Sequence, residues 1–157
     1  MAGDLVVEPV THVDADALLG LYDAVGWSSY TRAPQVLEAA IAGSSYVVTA
    51  RRDGRLVGLA RALSDGATIC YLQDVLVLPT EQRAGVGRAL VGAVLDRYRS
   101  VRQQVLLTDD EPAQRAFYES LGYAEIRDYA GGDPAGVRPL RANLTPTTNG
   151  RTKRCQT

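Results

Sequence analysis

The chain has 157 residues, 46% of them hydrophobic and 22% charged, with a formal net charge of −1. That length suits one domain with its own core. The near-neutral balance argues against a nucleic-acid polyanion as main partner, and the absence of an apolar run of about 18 residues argues against a membrane-spanning helix.

The N-terminal MAGDLVVEPV has no basic stretch followed by an apolar one, so no signal peptide is expected. Leu5 to Val10 reads as a first strand, with Pro9 marking an edge position or the strand's end. Asp14 can cap a helix whose apolar face is Ala17, Leu18, Leu21, Tyr22 and Val25, and Gly26 stops it. Trp27 to Thr31 is expected as a loop carrying aromatics. Pro34 opens a second helix, buried through Val36, Leu37, Ala40 and Ile41 and closed by Gly43. Tyr46 to Arg52 and Leu56 to Leu63 read as strands joined at Asp53-Gly54, a type I′ hairpin signal. Thr68 to Leu78 is expected as a third antiparallel strand, central and buried on both faces.

A crossover helix follows from Gly87 to Tyr98, with Leu90, Val91, Val94, Leu95 and Tyr98 as its packing stripe. Val105 to Leu107 is a strand expected parallel to the third. Ala113 to Leu121 is a helix capped by Asp109 or Asp110, and Tyr123 to Arg127 a further strand. Asp128 to Gly136 reads as loop. Val137 to Leu144 reads as a last strand that Pro139 would confine to an edge. Residues 1–144 are taken as one domain and 145–157, which lack large apolar residues, as a disordered tail. Cys70 and Cys155 show neither metal nor disulfide-framework spacing, and His12 is the one histidine, so no metal is expected and a reducing cytoplasm fits.

The stretch that organises the chain is Tyr71 to Leu90. An apolar strand ends at Pro79, a polar turn follows, and Gln82-Arg83-Ala84-Gly85-Val86-Gly87 leads into a helix. Helix-start N–H groups lack intrahelical partners and carry the positive end of the dipole, which favours an anion. Gly85 and Gly87 allow turn angles and close approach, and Arg83 and Arg88 add charge, so phosphate or pyrophosphate is the expected ligand. A P-loop would need Lys after the second glycine, and a dinucleotide fingerprint would need glycine where Leu90 stands. A second stretch, Phe117-Tyr118-Glu119-Ser120-Leu121-Gly122-Tyr123, puts an aromatic pair on a helix; Phe117 and Leu121 are read as its packed face, with Tyr118 about 100° away and not required to be buried with them.

The two stretches, in this order, resemble the GNAT superfamily of acyl-CoA-dependent N-acyltransferases, from roughly Tyr46 to Tyr123. The resemblance implies an α/β (α+β) fold with a mixed central sheet splayed between two parallel strands and flanked by about four helices. It implies acetyl-CoA as co-substrate, its pantetheine lying in the splay. Carried over, Val75, Leu76 and Val77 would pair with the pantetheine backbone-fashion. Gln82, Arg83, Ala84, Gly85, Val86, Gly87 and Arg88 would cradle the pyrophosphate. Asp110 stands where many relatives have an asparagine that touches the cofactor; an ionised carboxylate cannot donate there, and a capping role is equally open.

Acyl transfer needs a neutral amine. For a lysine-like amine of pKa about 10.4, neutrality at pH 7 costs about 4.6 kcal/mol. A carboxylate can take the proton, and Asp74, inside an apolar strand, is the first choice, with Glu81 and Asp109 as rivals and a purely organising role for Asp74 as the alternative. Strand alternation would put Gln73 and Asp74 on opposite faces. The resemblance assigns the oxyanion to the Val77 N–H and the protonation of the leaving thiolate to Tyr118. Trp27, Tyr30 and Tyr71 would line the acceptor side for an apolar or cationic amine; Trp27 serves equally well as a packing anchor. The expected function is N-acetyl transfer from acetyl-CoA to the primary amine of a small molecule. A non-catalytic acyl-CoA-binding or regulatory module and a protein or peptide N-acetyltransferase are the alternatives. Neither a nucleic acid nor a membrane is expected as partner, and a homodimer is left open.

Overall fold

The computed structural model describes residues 3–108, 111–125 and 140–142. Strands β1 (Leu5–Val10), β2 (Tyr46–Arg52), β3 (Arg55–Ser64) and β4 (Ile69–Val77) form an antiparallel meander, and β5 (Gln103–Leu106) joins β4 in parallel. With β6 (Tyr123–Glu125) and β7 (Leu140–Ala142) they make one sheet in the order β1-β2-β3-β4-β5-β7-β6. The α/β fold and mixed sheet expected from the sequence are therefore present. Two of its details differ. Val137 to Leu144 was expected at an edge, but β7 lies between β5 and β6. Its residues Leu140 to Ala142 carry no proline and can donate on both sides; Pro139 itself lies outside the described residues, as do Asp109, Asp110, the 128–136 loop and the 145–157 tail.

Local chemistry explains the element boundaries. Asp14 caps α1 (Ala15–Ala24), accepting from the Ala17 N–H at 2.9 Å. Trp27 to Thr31 is not open loop: α2 (Ser28–Thr31) is a single helical turn that makes five α-helices among the described residues. Pro34 begins α3 (Pro34–Ala42), where its missing N–H loses no bond. Pro9 is accommodated because β1 is the edge strand. Asp53 and Gly54 both take positive φ, 50° and 77°, as the I′ turn requires.

The two faces of the sheet are covered by different helices. α4 (Val86–Arg97) packs on one face through Val86, Leu90, Val91 and Val94, all buried. Gly58 on β3 makes this approach possible. A Cβ there would stand 2.9 Å from the Leu76 carbonyl oxygen, 2.9 Å from Leu90 Cδ1 and 3.1 Å from Val86 Cγ1. The carbonyl belongs to the sheet and cannot yield, so Gly58→Ala should lift the first turn of α4. We expect a loss of about 1–3 kcal/mol, read by urea denaturation. α1 covers the opposite face, where Tyr22 reaches β4.

Candidate active site

The site is built where β4 leaves β5. The parallel register runs Ile69↔Gln103, Cys70↔Gln104, Tyr71↔Val105 and Leu72↔Leu106. From Gln73 to Val77 β4 is paired with β3 only, among the described residues. The Leu78 N–H donates to the Val57 carbonyl at 2.8 Å, toward β3. Backbone groups alternate along a strand, so those of Val75 and Val77 turn the other way, into the opening, and Leu76 does not.

A β-bulge marks the same point. Arg61 faces Asp74 and Ala62 faces Leu72, which leaves Gln73 as the extra residue. The bulge overrides simple alternation: the Gln73 amide donates to Asp74 Oδ1 at 3.3 Å instead of leaving from the other face. Asp74 has no exposed surface. Its Oδ2 accepts from Arg61 Nε and, at 3.0 Å, from the Tyr22 hydroxyl. Arg61, only 6% exposed, also donates to Ser44 Oγ at 3.3 Å. Burial, with the neighbouring Asp74 charge, holds the Tyr22 phenol well above its ordinary pKa, so it stays a donor. Burial alone would lower the Arg61 pKa, but the charge of Asp74 and the bond to it outweigh this and raise it. Cys70, buried in the same strand, has its thiol pushed up to about 11 by desolvation.

After β4 the chain makes a 3₁₀ turn at Pro79–Glu81. Glu81 pairs with Arg52 at 3.0 Å, which fixes the turn to the β2–β3 hairpin. Gln82 is extended, Arg83 takes φ 64° and Gly85 φ 81°. A non-glycine residue in the left-handed region costs on the order of 1 kcal/mol, and strain of this kind gathers at binding loops. The N-cap of α4 is Gly85, and among the described residues no side chain caps the helix start. The Val86 side chain is buried, so within the loop this residue can offer a ligand only its backbone. Arg83, Ala84, Gly85 and Arg88 are exposed, and Gln82 is half-buried. The Arg88 guanidinium donates to Ser120 Oγ at 2.8 Å, which ties the loop to α5 (Pro112–Ser120).

Tyr118 is carried on α5, two positions before Ser120. The inward face of α5 is centred on Gln114 and Tyr118, at 6% and 1% exposure, and Phe117 lies half-buried on its flank. Phe117 and Leu121 do pack against the core, as expected, but the residue one step along from Phe117, about 100° round, is buried more deeply. Thr108 anchors that face by donating to Gln114 Oε1 at 2.6 Å. The Tyr118 ring lies edge-on to Phe117 and Tyr123, with centroids 5.0 and 5.6 Å away.

On the opposite face Tyr22, Trp27 and Tyr30 form one aromatic cluster, with centroid separations of 5.8, 5.2 and 5.7 Å. Trp27 is 7% exposed, and its indole N–H has no hydrogen-bond partner among the described residues. Tyr71 is half-buried farther back on β4, opposite Val105. Tyr22 and Arg61 were not singled out in the sequence. A usable signal existed: one arginine and one aspartate, each inside an apolar strand of the same meander. Among the described residues no cluster could hold a metal ion, and no helix is long and apolar enough to cross a membrane.

The acetyltransferase (GNAT) domain model matches residues 19–133. The chain belongs to the GNAT acetyltransferases. It is therefore an N-acetyltransferase by family. A GNAT-family acetyltransferase of Streptococcus pneumoniae TIGR4, SP0256, is 28% identical with a TM-score of 0.73, covering 86% of this chain and 98% of that one. A Glycine max protein named histone acetyltransferase TAP1 is 31% identical over 142 residues, covering 82% of this GNAT chain but only 56% of the soybean protein. The aminoglycoside N-acetyltransferase AAC(6')-Iy, solved in complex with CoA, shares the fold at 18% identity and a TM-score of 0.64, covering 86% of this chain and 98% of that one.

Proposed function

We propose that this GNAT protein acetylates the primary amine of a small molecule, taking the acetyl group from acetyl-CoA by direct attack. The observation that carries the reading is the β4 edge beyond Leu72, which opens toward the start of α4. Val77, whose backbone groups turn into that opening, would pair with the pantetheine amides. The N–H groups from Gln82 to Arg88, with the Arg83 charge, would hold the pyrophosphate. Aminoglycoside acetylation by a protein of the same fold supports a small amine as acceptor.

In the transfer, the amine nitrogen forms a C–N bond to the thioester carbonyl and the C–S bond breaks. The Val77 N–H receives the oxyanion, a role typically worth about 10²–10³ in rate. Tyr118 gives its proton to the leaving thiolate, and the proton that the attacking nitrogen loses on becoming an amide, carried by water, restores the phenol. Trp27, Tyr30 and Tyr71 face the carbon skeleton of the acceptor. The two described candidates for base are already paired, Asp74 with Arg61 and Glu81 with Arg52. The ammonium proton therefore leaves to water, and the attacking species is the fraction of amine already neutral. It follows that kcat/KM should rise about tenfold per pH unit below the acceptor's pKa, because each unit raises the neutral fraction tenfold. Initial rates between pH 6 and 9 check this; a plateau from pH 7 would reveal an enzymic base.

The deciding experiment is release of free CoA thiol from acetyl-CoA across a panel of amines and peptides, with thermal shift by acetyl-CoA alone. Release with small amines is expected. Release only with peptides would select a protein acetyltransferase, the reading favoured by the name of the soybean relative. A shift without release on any acceptor would select a binding module.

A further inference from the structure

We propose that Asp74 is a positioning residue: with Arg61 and Tyr22 it forms a buried lock that fixes the point where β4 parts from β5 and anchors the aromatic cluster beside it. The inference rests on reading that opening as the acyl-transfer site. Three observations carry it.

The first is location. Asp74 is the second residue past Leu72, the last to pair with β5, and it sits at the bulge itself. Whatever holds Asp74 sets where the β4 edge becomes available. The second is occupancy. An ionised carboxylate has roughly four lone-pair directions. Arg61, Tyr22 and Gln73 take three of them, and no surface of Asp74 is exposed. A base must come within hydrogen-bond reach of the amine, directly or through one water, and little of this carboxylate is left to do so.

The third is connectivity. Tyr22 stands on α1 and packs edge-on against Trp27 and tilted against Tyr30 around α2. Arg61 lies on β3 and reaches Ser44, whose hydroxyl donates to the Ala40 carbonyl of α3 at 2.7 Å. One carboxylate thereby joins α1, α3, β3 and β4. The Tyr22 hydroxyl ties α1 to β4 by its hydrogen bond to Asp74. The acceptor wall and the thioester opening are thus coupled through the Tyr22 hydroxyl.

The test pairs two variants with the wild type on an acceptor found active in the thiol-release panel. Arg61→Gln with Asp74→Asn keeps hydrogen-bonding groups at both positions, removes the carboxylate and leaves no unpaired charge. Positioning predicts kcat within about tenfold of wild type and an unchanged pH–rate slope. Tyr22→Phe keeps the ring contacts and breaks only the tether. It should raise the acceptor KM about tenfold, the effect of losing a hydrogen bond to a charged group, with the acetyl-CoA KM within about threefold. A kcat loss of about 10²–10⁴ in the double variant, with a changed pH slope, would make Asp74 the base and overturn the inference while leaving the enzyme reading intact. If the double variant does not fold, Tyr22→Phe decides, and an unchanged acceptor KM overturns the proposal. A wild type that turns over no amine refutes the enzyme reading first and this inference with it.

Discussion

Tyr118→Phe is expected to lower kcat by about 10²–10⁴ and to leave the KM for acetyl-CoA within about threefold. The substitution removes one oxygen and keeps the ring against Phe117 and Tyr123. Stability should change by about 1 kcal/mol, a melting shift of about 2–4 °C at this chain length. The chemical loss is larger because the thiolate must leave without a proton from the enzyme. Single-turnover rates isolate that step from product release. A thioester with a more acidic thiol needs less help from an acid, so the deficit should shrink on an aryl thioester; this dependence separates an acid from a residue that only shapes the site. An unchanged kcat would reduce Tyr118 to packing.

The parts of this site that depend on backbone geometry were legible in the sequence, and those that depend on register were not. Gly85 and the charged turn before it betray a strand-to-helix anion loop because few residues tolerate those angles. Asp14, Pro34 and Asp53-Gly54 likewise mark their boundaries through local chemistry. The bulge at Gln73 leaves no such mark. It comes from the pairing of β3 with β4, and one inserted residue was enough to bring Gln73 onto Asp74. The deep burial of Tyr118 could not be read from the sequence for a related reason. Phe117 is the more apolar of the pair, yet the helix face is chosen by the whole surface it packs on, Gln114 included. The insertion of β7 between β5 and β6 is a long-range choice of topology that no window of residues encodes.

Arg61→Ala alone should destabilise the protein by about 3–5 kcal/mol, among the largest single-residue effects this fold can show. The reason is the charge left behind. Asp74 has no exposed surface, and with Arg61 gone it would keep a phenol and an amide as partners but no counter-ion. For a chain of this length, that loss corresponds to a fall in melting temperature of about 6–20 °C. Replacing both partners by apolar residues, Arg61→Met with Asp74→Leu, removes the stranded charge and should recover most of the stability, as buried ion pairs exchanged for packing often do. The Tyr22 hydroxyl would then lack its acceptor, and a residual deficit of about 1–3 kcal/mol should remain until Tyr22→Phe is added. Urea denaturation of the four proteins measures these steps. A stable but catalytically impaired triple variant is the expected end point. It would mean that the ion pair is not needed for folding as such, and that the geometry it imposes on the β4 opening is what the enzyme uses. An Arg61→Ala protein as stable as wild type would show instead that Asp74 can reach solvent, which would restore it as a candidate base.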